Sequence, residues 1–300
     1  MSAHQPACRG RFAPSPTGPL HLGSLIAALA SYLDARSRRG AWLVRMEDLD
    51  PPREVPGAAH HILESLRCHG LHWDESPLFQ SERHEAYAAA LDRLAATGRL
   101  FHCDCTRALL GPHGVCQGHC RTRQESLAGD TALRISVPPE CAIEVNDALQ
   151  GLQHWPLGQT RRDFVVRRKD GLDAYQLAVV VDDCAQNITD VVRGCDLLDS
   201  TAPQIYLQGL LDCPTPRYCH LPVATNRDGR KLSKQTRAPA LDDTQPQANL
   251  RRALHFLRQA EPPPDLCRAE DILQFAVSHW TLHDVPATPA IPAASVGVDA

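Results

Sequence analysis

The chain has 300 residues, of which 43% are apolar, and this is enough for the buried core of one large domain or two smaller ones. The formal net charge of −4 excludes a globally basic nucleic-acid-binding protein, so any contact with DNA or RNA must use local basic patches. No apolar run approaches the roughly 20 residues of a membrane helix, and residues 1–10 lack the apolar centre of a signal peptide. We therefore expect a cytoplasmic protein that has no contact with a membrane.

The first hundred residues predict the beginning of a parallel α/β sheet. A strand at 9–12 is followed by a proline-rich loop, and apolar residues at helical spacing then predict a helix over 22–38 that Gly40 caps. The next predicted elements are a strand at 41–46, helices at 54–69 and 83–98, and a strand at 100–103. The order strand, loop, helix, strand is typical of sheets whose strands run parallel.

The rest of the chain predicts a small β region, a return to the α/β core and a helical end. Strands are predicted at 132–137, 142–145, 164–168, 187–192 and 217–221, and helices at 201–211, 250–259 and 269–280. Residues 175–181 form an apolar run. The proline-rich tail after Asp284 is expected to be a loosely ordered cover.

Four of the 12 cysteines fall close together, at Cys103, Cys105, Cys116 and Cys120. In a reducing compartment a disulfide framework is the least expected use of them. Four thiolates suit tetrahedral zinc, and the glycines between them let the chain fold around a metal, which predicts a structural zinc site without a catalytic role. The alternative is chance clustering, because the other cysteines are scattered singly; His113 and His119 are less favoured ligands.

Two segments have the residues that phosphate binding needs. His21 precedes the first predicted helix, where free N–H groups favour anions, and Gly23 would let a nucleotide approach the helix backbone. Lys231 and Lys234 are two of only three lysines in the chain, and two ammonium groups on a loop can stabilise a leaving pyrophosphate. Taken singly, the first segment is explained equally well as a turn before an ordinary helix. The second is explained equally well as a solvated basic loop.

Together these segments, HLGS at 21–24 and KLSKQ at 231–235, resemble the HIGH and KMSKS signatures of class I aminoacyl-tRNA synthetases. Four more segments resemble the glutamate branch of that family, in the family's order: RFAPSPTG at 11–18, RMEDLDPPR at 45–53, DAYQLAVVVDD at 173–183 and VRGCDLL at 192–198. The resemblance covers residues 9–243. It departs from the two signatures at Ser24, Leu232 and Gln235, but the histidine and the second lysine are retained.

The resemblance implies a Rossmann-type α/β catalytic domain with a parallel sheet, an inserted zinc-containing α+β subdomain and a short helical C-terminal part. The expected bounds are 1–102 and 161–243 for the two halves of the catalytic domain, 103–160 for the insertion and 244–300 for the C-terminal region. Only about sixty residues follow Asp242, too few for the helical anticodon-binding region of a glutamyl-tRNA synthetase. The chain therefore resembles the shortened paralogue family, the glutamyl-queuosine tRNA(Asp) synthetases.

That family activates L-glutamate with ATP and Mg²⁺ in the absence of tRNA and attaches it to the queuosine base in the anticodon of tRNA(Asp); we expect a monomer. The implied glutamate pocket consists of Arg11, Phe12, Ala13, Pro14, Ser15, Glu47, Tyr175 and Arg193. The implied ATP site consists of His21, Gly23, Ser24 and Lys234, and the groups expected to act on the phosphates are His21, Lys231 and Lys234. The family also carries zinc at the cysteine cluster, where Cys116 stands in place of a tyrosine that is often the third ligand.

Three other readings compete with this one. The chain can be a truncated glutamyl-tRNA synthetase that charges a tRNA 3′ end, or a non-catalytic, zinc-containing tRNA-binding paralogue. It can also be an unrelated nucleotidyl-transferring α/β enzyme with similar His and Lys signals. A protein that only binds tRNA has no need of His21, Lys234 and Glu47, and the surroundings of Arg11, Tyr175 and Arg193 disfavour an unrelated enzyme.

Overall fold

The computed structural model describes residues 8–111, 114–116, 118–122, 130–226, 229–232 and 239–293. The first part of the chain alternates strands and helices: β1 (Arg9–Phe12), α1 (Leu22–Ser37), β2 (Ala41–Met46), α2 (Ala58–Cys68), β3 (Leu78–Phe79) and α3 (His84–Ala96). The predicted strands at 9–12 and 41–46 have these bounds in the structure. The second helix begins four residues later than predicted, because Pro51–Arg53 forms a 3-10 turn and Gly57 adopts a left-handed conformation just before Ala58.

The middle of the chain is mostly antiparallel β-structure. Its elements are β4 (Leu100–Cys103), α4 (Arg107–Leu110), α5 (His119–Thr122), β5 (Ala132–Ser136), β6 (Ile143–Asp147), β7 (Gly151–Trp155), α6 (Leu157–Thr160) and β8 (Asp163–Arg167). β5 pairs with β4 and β8, and β6 and β7 form a separate hairpin. The expected domain bounds remain a prediction, and the three-stranded sheet joins strands from both sides of the expected insertion.

The chain then returns to the α/β core. The elements are α7 (Tyr175–Ala185), β9 (Asp190–Gly194), α8 (Thr201–Leu210), β10 (Arg217–Leu221), β11 (Val223–Thr225), α9 (Pro246–Phe256), α10 (Ala269–His279) and β12 (Ala290–Pro292). The apolar run at 175–181 is the first part of α7, whose residues from Leu177 to Val180 are all buried. A helix buried on several sides carries no polar stripe, so the run shows no amphipathic pattern.

The core of the fold is a five-stranded parallel sheet in the order β10-β9-β1-β2-β3. α1 packs against β1, β2 and β9 and is covered by α9 and α10, while α7 packs with α3 and α8. The sheet therefore has the α/β architecture that the sequence predicts. In parallel sheets ligands bind outside the carboxyl ends of the strands, and β1, β2 and β9 end at Phe12, Met46 and Gly194.

Two expectations, one about the cap of α1 and one about the C-terminal tail, are wrong. Gly40 is not the left-handed cap of α1, since Arg39 has that conformation with φ of 57°. A Cβ at Gly40 would lie 2.4 Å from the carbonyl oxygen of Cys8, so the glycine is needed for close approach of the chain. The described part of the tail after Asp284, residues 285–293, is ordered: β12 pairs in parallel with β11, and Val285 and Ala293 are buried.

Among the described residues, no helix combines the length and the apolar character needed to cross a membrane.

Candidate active site

A cavity of about 190 Å³ opens at the carboxyl ends of β1, β2 and β9. It brings together residues that are far apart in the sequence, and its walls include Arg11, Phe12, Ala13, His21, Gly23, Ser24, Glu47, Tyr175, Arg193, Asp196 and Lys231. Most of the residues that the sequence analysis assigned to glutamate or ATP therefore line one cavity.

The end of the cavity that contains Arg11 rests on a buried group of charges. Asp183 on α7 accepts hydrogen bonds from Arg11 Nε at 3.2 Å and from Arg45 Nη1 at 2.8 Å. Burial alone would raise the pKa of Asp183, but the two guanidinium groups outweigh it and hold that pKa below its usual range. Arg45 is fully buried, so the network fixes β1, β2 and α7 relative to one another.

Glu47 directly follows β2 and brings a carboxylate into the same cavity. Its Oε1 lies 3.6 Å from Nη2 of Arg45, and the side chain is 11% exposed. Burial raises the pKa of Glu47 to about 7, although Arg45 and Arg11 oppose the shift. Glu47 therefore titrates near neutral pH in the unliganded protein, and a bound ammonium group would favour its ionised form.

Arg193 at the end of β9 is held by four hydrogen bonds. Nε donates to His220 Nε2 at 3.0 Å, and Nη1 donates to Gln204 Oε1 at 2.8 Å. Nη2 donates to Thr201 Oγ1 at 2.9 Å and to the Leu197 carbonyl at 3.4 Å. A guanidinium has five N–H groups, so these four bonds leave one N–H, on Nη1, for a carboxylate oxygen.

Tyr175 supplies a neutral donor in the same cavity. Burial raises the pKa of Tyr175, with Arg193 opposing that shift and Glu47 adding to it. The hydroxyl therefore stays protonated at neutral pH and can donate to a carboxylate.

His21 is the N-cap of α1, and its Nδ1 accepts a hydrogen bond from the Ser24 N–H at 3.2 Å. Because a backbone N–H can only donate, Nδ1 is the acceptor nitrogen and the ring proton lies on Nε2 in the neutral form. An N–H on Nε2 beside the start of a helix of 16 residues can donate to a phosphate oxygen.

Gly23 is the second residue of α1 and lies beside the His21 ring. A Cβ at Gly23 would be 3.1 Å from two atoms of the His21 ring and 3.7 Å from the Leu232 carbonyl. The missing side chain therefore leaves room first for the His21 ring, and not only for a nucleotide as the sequence analysis expects.

The described residues on both sides of the lysine segment are anchored by backbone hydrogen bonds. Leu232 is buried and donates its N–H to the carbonyl of Ala224 in β11, and on the far side the Leu241 N–H donates to the carbonyl of Leu20, next to His21, at 2.9 Å. Lys231 lines the cavity and forms a 2.5 Å ion pair with Asp196. Lys234 and Gln235 lie outside the described residues, so the role of Lys234 stays a prediction.

Two residues of the expected glutamate pocket do not line this cavity. The Pro14 carbonyl accepts the Glu47 N–H at 2.9 Å, so Pro14 acts on the position of Glu47. Ser15 lines a second cavity of about 330 Å³, which shares Glu47 and Tyr175 with the first and also includes Asp50, Arg53 and Arg168. The carboxylate of Asp50 pairs with both arginines.

The four predicted cysteine ligands form one buried cluster. All four Sγ atoms lie within 4.8 Å of one another, and Cys105 Sγ is 3.9 Å from Cys116 and 3.4 Å from Cys120. Four thiolates around one zinc ion at about 2.3 Å would be about 3.8 Å apart, so the donor set fits such an ion. The cluster can hold a metal ion, and the side chains of His113 and His119 are outside the described set.

Charged residues hold the backbone around this cluster. Asp163 accepts from the Cys116 N–H at 3.2 Å and from Arg134, which also donates to the Gly114 carbonyl. Lys169, the third lysine of the chain, donates to the Asp104 carbonyl at 2.6 Å. This lysine therefore joins β8 to the cysteine loop.

The sequence analysis missed the residues that support the site from behind. The predicted site does not include Asp183, which stands two residues after the apolar run of α7, and Arg45 by itself has the pattern of a surface residue. It also does not include Asp196, which pairs with Lys231, or His220, which contacts Arg193. A carboxylate at the end of an apolar helical run is the one signal that could have pointed to Asp183.

Comparisons with known proteins show which family the chain is similar to. The family described as "tRNA synthetases class I (E and Q), catalytic domain" matches residues 7–114 and 115–257. A glutamyl-Q tRNA(Asp) synthetase of Thiobacillus denitrificans is 52% identical over 95% of this chain and 97% of its own length. A protein of the same name from Pseudomonas fluorescens is 50% identical over 96% of each chain.

Solved structures show the same fold at lower identity. A glutamate tRNA ligase of Elizabethkingia meningosepticum, in complex with its amino acid, is 24% identical, with a TM-score of 0.77 over 95% of this chain. The glutamate-tRNA synthetase of Elizabethkingia anophelis has a TM-score of 0.76. The chain spans 66% and 67% of the length of these two solved chains.

Proposed function

Because the chain belongs to the glutamyl-Q tRNA(Asp) synthetase family within the class I tRNA synthetases, we propose that it joins L-glutamate to the queuosine base of the tRNA(Asp) anticodon. It acts as a monomeric, cytoplasmic ligase that first makes glutamyl-adenylate from glutamate and ATP, in the absence of tRNA. The observation that carries the proposal is the single cavity in which Arg11, Arg193, Glu47 and Tyr175 meet the His21 turn.

The amino-acid end of the cavity matches the charges of glutamate. Arg11 and Arg193 supply two fixed cations for two carboxylates, Tyr175 donates a hydrogen bond, and Glu47 accepts from the α-ammonium group. Glutamine has one carboxylate fewer, and its neutral amide would leave a buried guanidinium without its anion. That loss gives the site its preference for glutamate.

In the activation step, an oxygen of the glutamate α-carboxylate attacks the α-phosphorus of ATP in line. The new P–O bond forms as the bond to the bridging oxygen breaks, and pyrophosphate leaves with the electron pair. Protein groups act by placement and charge: His21 Nε2–H donates to a phosphate oxygen, and Lys231 and Lys234 offset the charge of the leaving group. The Mg²⁺ that accompanies ATP neutralises part of the phosphate charge.

In the transfer step, a hydroxyl of the queuosine ring attacks the carbonyl carbon of the adenylate. The ester bond forms, AMP leaves with the electron pair of the anhydride oxygen, and the hydroxyl proton passes to water. The second cavity shares Glu47 and Tyr175 with the first, and we place the approach of the acceptor there. A third cavity, beside the cysteine cluster, shares Arg168 with the second cavity. It also contains Arg107 and Lys169, whose positive charges suit the phosphates of a polynucleotide.

We assign one structural zinc ion to Cys103, Cys105, Cys116 and Cys120. All four ligands come from the protein, so no position is open for a substrate, and the ion would stabilise the loop between β4 and β5. Elemental analysis of the purified protein should give one zinc per chain, and Cys105→Ser should lower this value strongly. Zinc-free, folded protein would contradict the assignment.

The acceptor is tested with labelled glutamate and three tRNAs: queuosine-containing tRNA(Asp), the same tRNA without the modification, and tRNA(Glu). We expect label only on the modified tRNA(Asp), and loss of the label when the anticodon loop is cut out. Label at the 3′ end of tRNA(Glu) would instead show a truncated glutamyl-tRNA synthetase. Binding of tRNA without any adenylate formation would show the non-catalytic alternative.

A further inference from the structure

A buried chain of hydrogen bonds runs from the β6–β7 hairpin to the cavity. Asp147, the last residue of β6, lies 2.6 Å through Oδ2 from His220 Nδ1, and His220 Nε2 accepts from Arg193 Nε at 3.0 Å. Asp147 is 2% exposed, His220 is fully buried and Arg193 is 5% exposed. Solvent therefore contributes little to the bonds of these side chains, and each must be satisfied within the protein.

The chemistry of the arginine determines the tautomer of His220. A guanidinium can only donate, so His220 Nε2 must be the acceptor and the ring proton must lie on Nδ1, where it is donated to Asp147. Thr201 fits the same arrangement, since its Oγ1 accepts from Arg193 Nη2 and lies 3.2 Å from His220 Nε2, to which it can donate. A doubly protonated ring would place an N–H of His220 against the N–H of Arg193.

We propose that Asp147 and His220 form a positioning pair that fixes Arg193 for the substrate carboxylate. Asp147 holds His220 in the Nδ1–H tautomer, and His220 in turn orients the guanidinium. The proposal rests on the proposed function in one respect, namely that Arg193 binds a carboxylate of glutamate. It gives the β6–β7 hairpin, which is remote in the sequence from the signatures, a part in amino-acid binding.

The charges around the pair favour this state. Burial lowers the pKa of His220, with Arg193 and Arg11 adding to the shift and Asp147 opposing it, so the ring stays neutral at pH 7. Burial opposes the ionisation of Asp147, but the bond from the His220 ring and the backbone N–H groups of Gln150 and His220 outweigh it and lower the pKa of Asp147. Tyr218 stacks on His220 from the same strand.

The geometry of Asp147 permits a sharp test. Its Oδ1 accepts three backbone N–H groups, from Leu149, Gln150 and His220, so an asparagine would keep its oxygen there and turn its amide group toward His220 Nδ1. Asp147→Asn then makes Nδ1 the acceptor and moves the ring proton to Nε2, against Arg193. The substitution changes a proton position and leaves the shape of the hairpin unchanged.

The experiment measures glutamate-dependent ATP–pyrophosphate exchange with the full chain. Asp147→Asn should raise KM for glutamate roughly 10- to 100-fold, since a bond to a charged group is lost, while KM for ATP stays within about twofold and kcat falls less than KM rises. His220→Leu should have a similar effect, and His220→Gln, which keeps an acceptor for Arg193, should recover part of the affinity.

Gln150→Leu is the matched control. Its side chain joins the hairpin to the His220 carbonyl at 2.8 Å and does not touch the ring, so this variant tests loosening of the hairpin alone. We expect its KM for glutamate to stay within about twofold of wild type. Equal effects of Asp147→Asn and Gln150→Leu would overturn the proposal.

A second readout does not depend on activity. Nitrogen NMR of the imidazole should show the Nδ1–H tautomer of His220 in the wild-type protein and the Nε2–H tautomer in Asp147→Asn. An Nε2–H ring in the wild type would overturn the positioning pair. If wild-type protein gave no exchange with glutamate, the proposed function would fail, and the tautomer measurement would still decide whether Asp147 sets the state of His220.

Discussion

The two ends of the cavity are built differently. At the amino-acid end, Arg11, Arg45 and Asp183 form a buried ion network on the parallel sheet, and their side chains are at most 6% exposed. At the phosphate end, Lys231 and Asp196 form an ion pair whose side chains are 46% and 33% exposed. A buried network is fixed before the substrate arrives. In an exposed pair, the lysine can exchange the carboxylate for a phosphate at little cost in free energy.

This contrast predicts that substitutions at the two ends affect the stability of the fold and the rate of activation differently. Changes at the amino-acid end should lower both the free energy of unfolding and the affinity for glutamate, because the same residues support the sheet. Changes at the phosphate end should lower the rate of activation and leave the fold stable. The following experiments measure one or both of these quantities, so that the separation itself can fail.

The largest loss of stability is expected for Asp183→Ala, which leaves Arg11 and Arg45 buried without an anion. The free energy of unfolding should fall by about 3–5 kcal/mol, measured by denaturant titration. Asp183→Asn keeps the shape of the side chain and should cost less. As a control, Glu64→Ala breaks an exposed pair with Arg67 and should cost under about 1 kcal/mol. Equal losses in the two alanine variants would remove the contrast.

Lys234→Ala should lower the rate of ATP–pyrophosphate exchange by roughly 10²–10³-fold, as expected when a group that stabilises developing charge is removed. The midpoint of thermal unfolding should stay the same, since Lys234 is expected to act on the phosphates and not to support the buried network. Wild-type exchange in the variant would show that Lys234 has no part in activation.

Glu47 should make glutamate binding depend on pH. With a pKa of about 7, the carboxylate takes up a proton as the pH falls from 8 to 6, so KM for glutamate should rise about tenfold over this range. Glu47→Gln should bind weakly with little dependence on pH. A wild-type profile that is flat from pH 6 to 8 would contradict the ammonium role.

The same carboxyl group has the opposite effect on stability. Its pKa is raised above that of an unfolded chain, so between the two values the native protein binds more protons than the unfolded one. Its contribution to stability is therefore complete at acidic pH and is lost as the pH rises through about 7. The pH at which Glu47 is ready to bind an ammonium group is the pH at which it no longer stabilises the free protein.

The smallest effect is expected for Asp196→Asn, which breaks the exposed pair with Lys231. The free energy of unfolding should change by less than about 1 kcal/mol. A loss as large as that of Asp183→Ala would mean that the phosphate end is as rigid as the amino-acid end.

Local sequence patterns predicted the strands of the sheet better than the buried residues that hold the site residues in place. The strands at 9–12, 41–46, 100–103 and 217–221 have their predicted bounds, because short apolar runs between turns determine them locally. β12 was missed because its pairing partner β11 lies far back in the chain and no local pattern specifies it. The apolar run of α7 shows no amphipathic helical pattern, because the helix is buried on several sides.

The same limit applies to the site. The signatures predicted His21, Glu47 and Arg193, but the residues behind them come from distant segments. Asp183 meets Arg11 across 172 positions, and Asp147 meets His220 across 73. Such pairs are created by the topology of the sheet and the hairpin, so only the folded chain reveals them.

The central claim is that this cavity activates glutamate, and ATP–pyrophosphate exchange without tRNA tests it most directly. Glutamate, glutamine and aspartate are compared at equal concentration with the purified full chain. We predict exchange with glutamate at least tenfold above that with glutamine or aspartate, because the two fixed guanidinium groups require two carboxylates at the right distance. Absence of exchange with glutamate, or equal exchange with glutamine, would contradict the account.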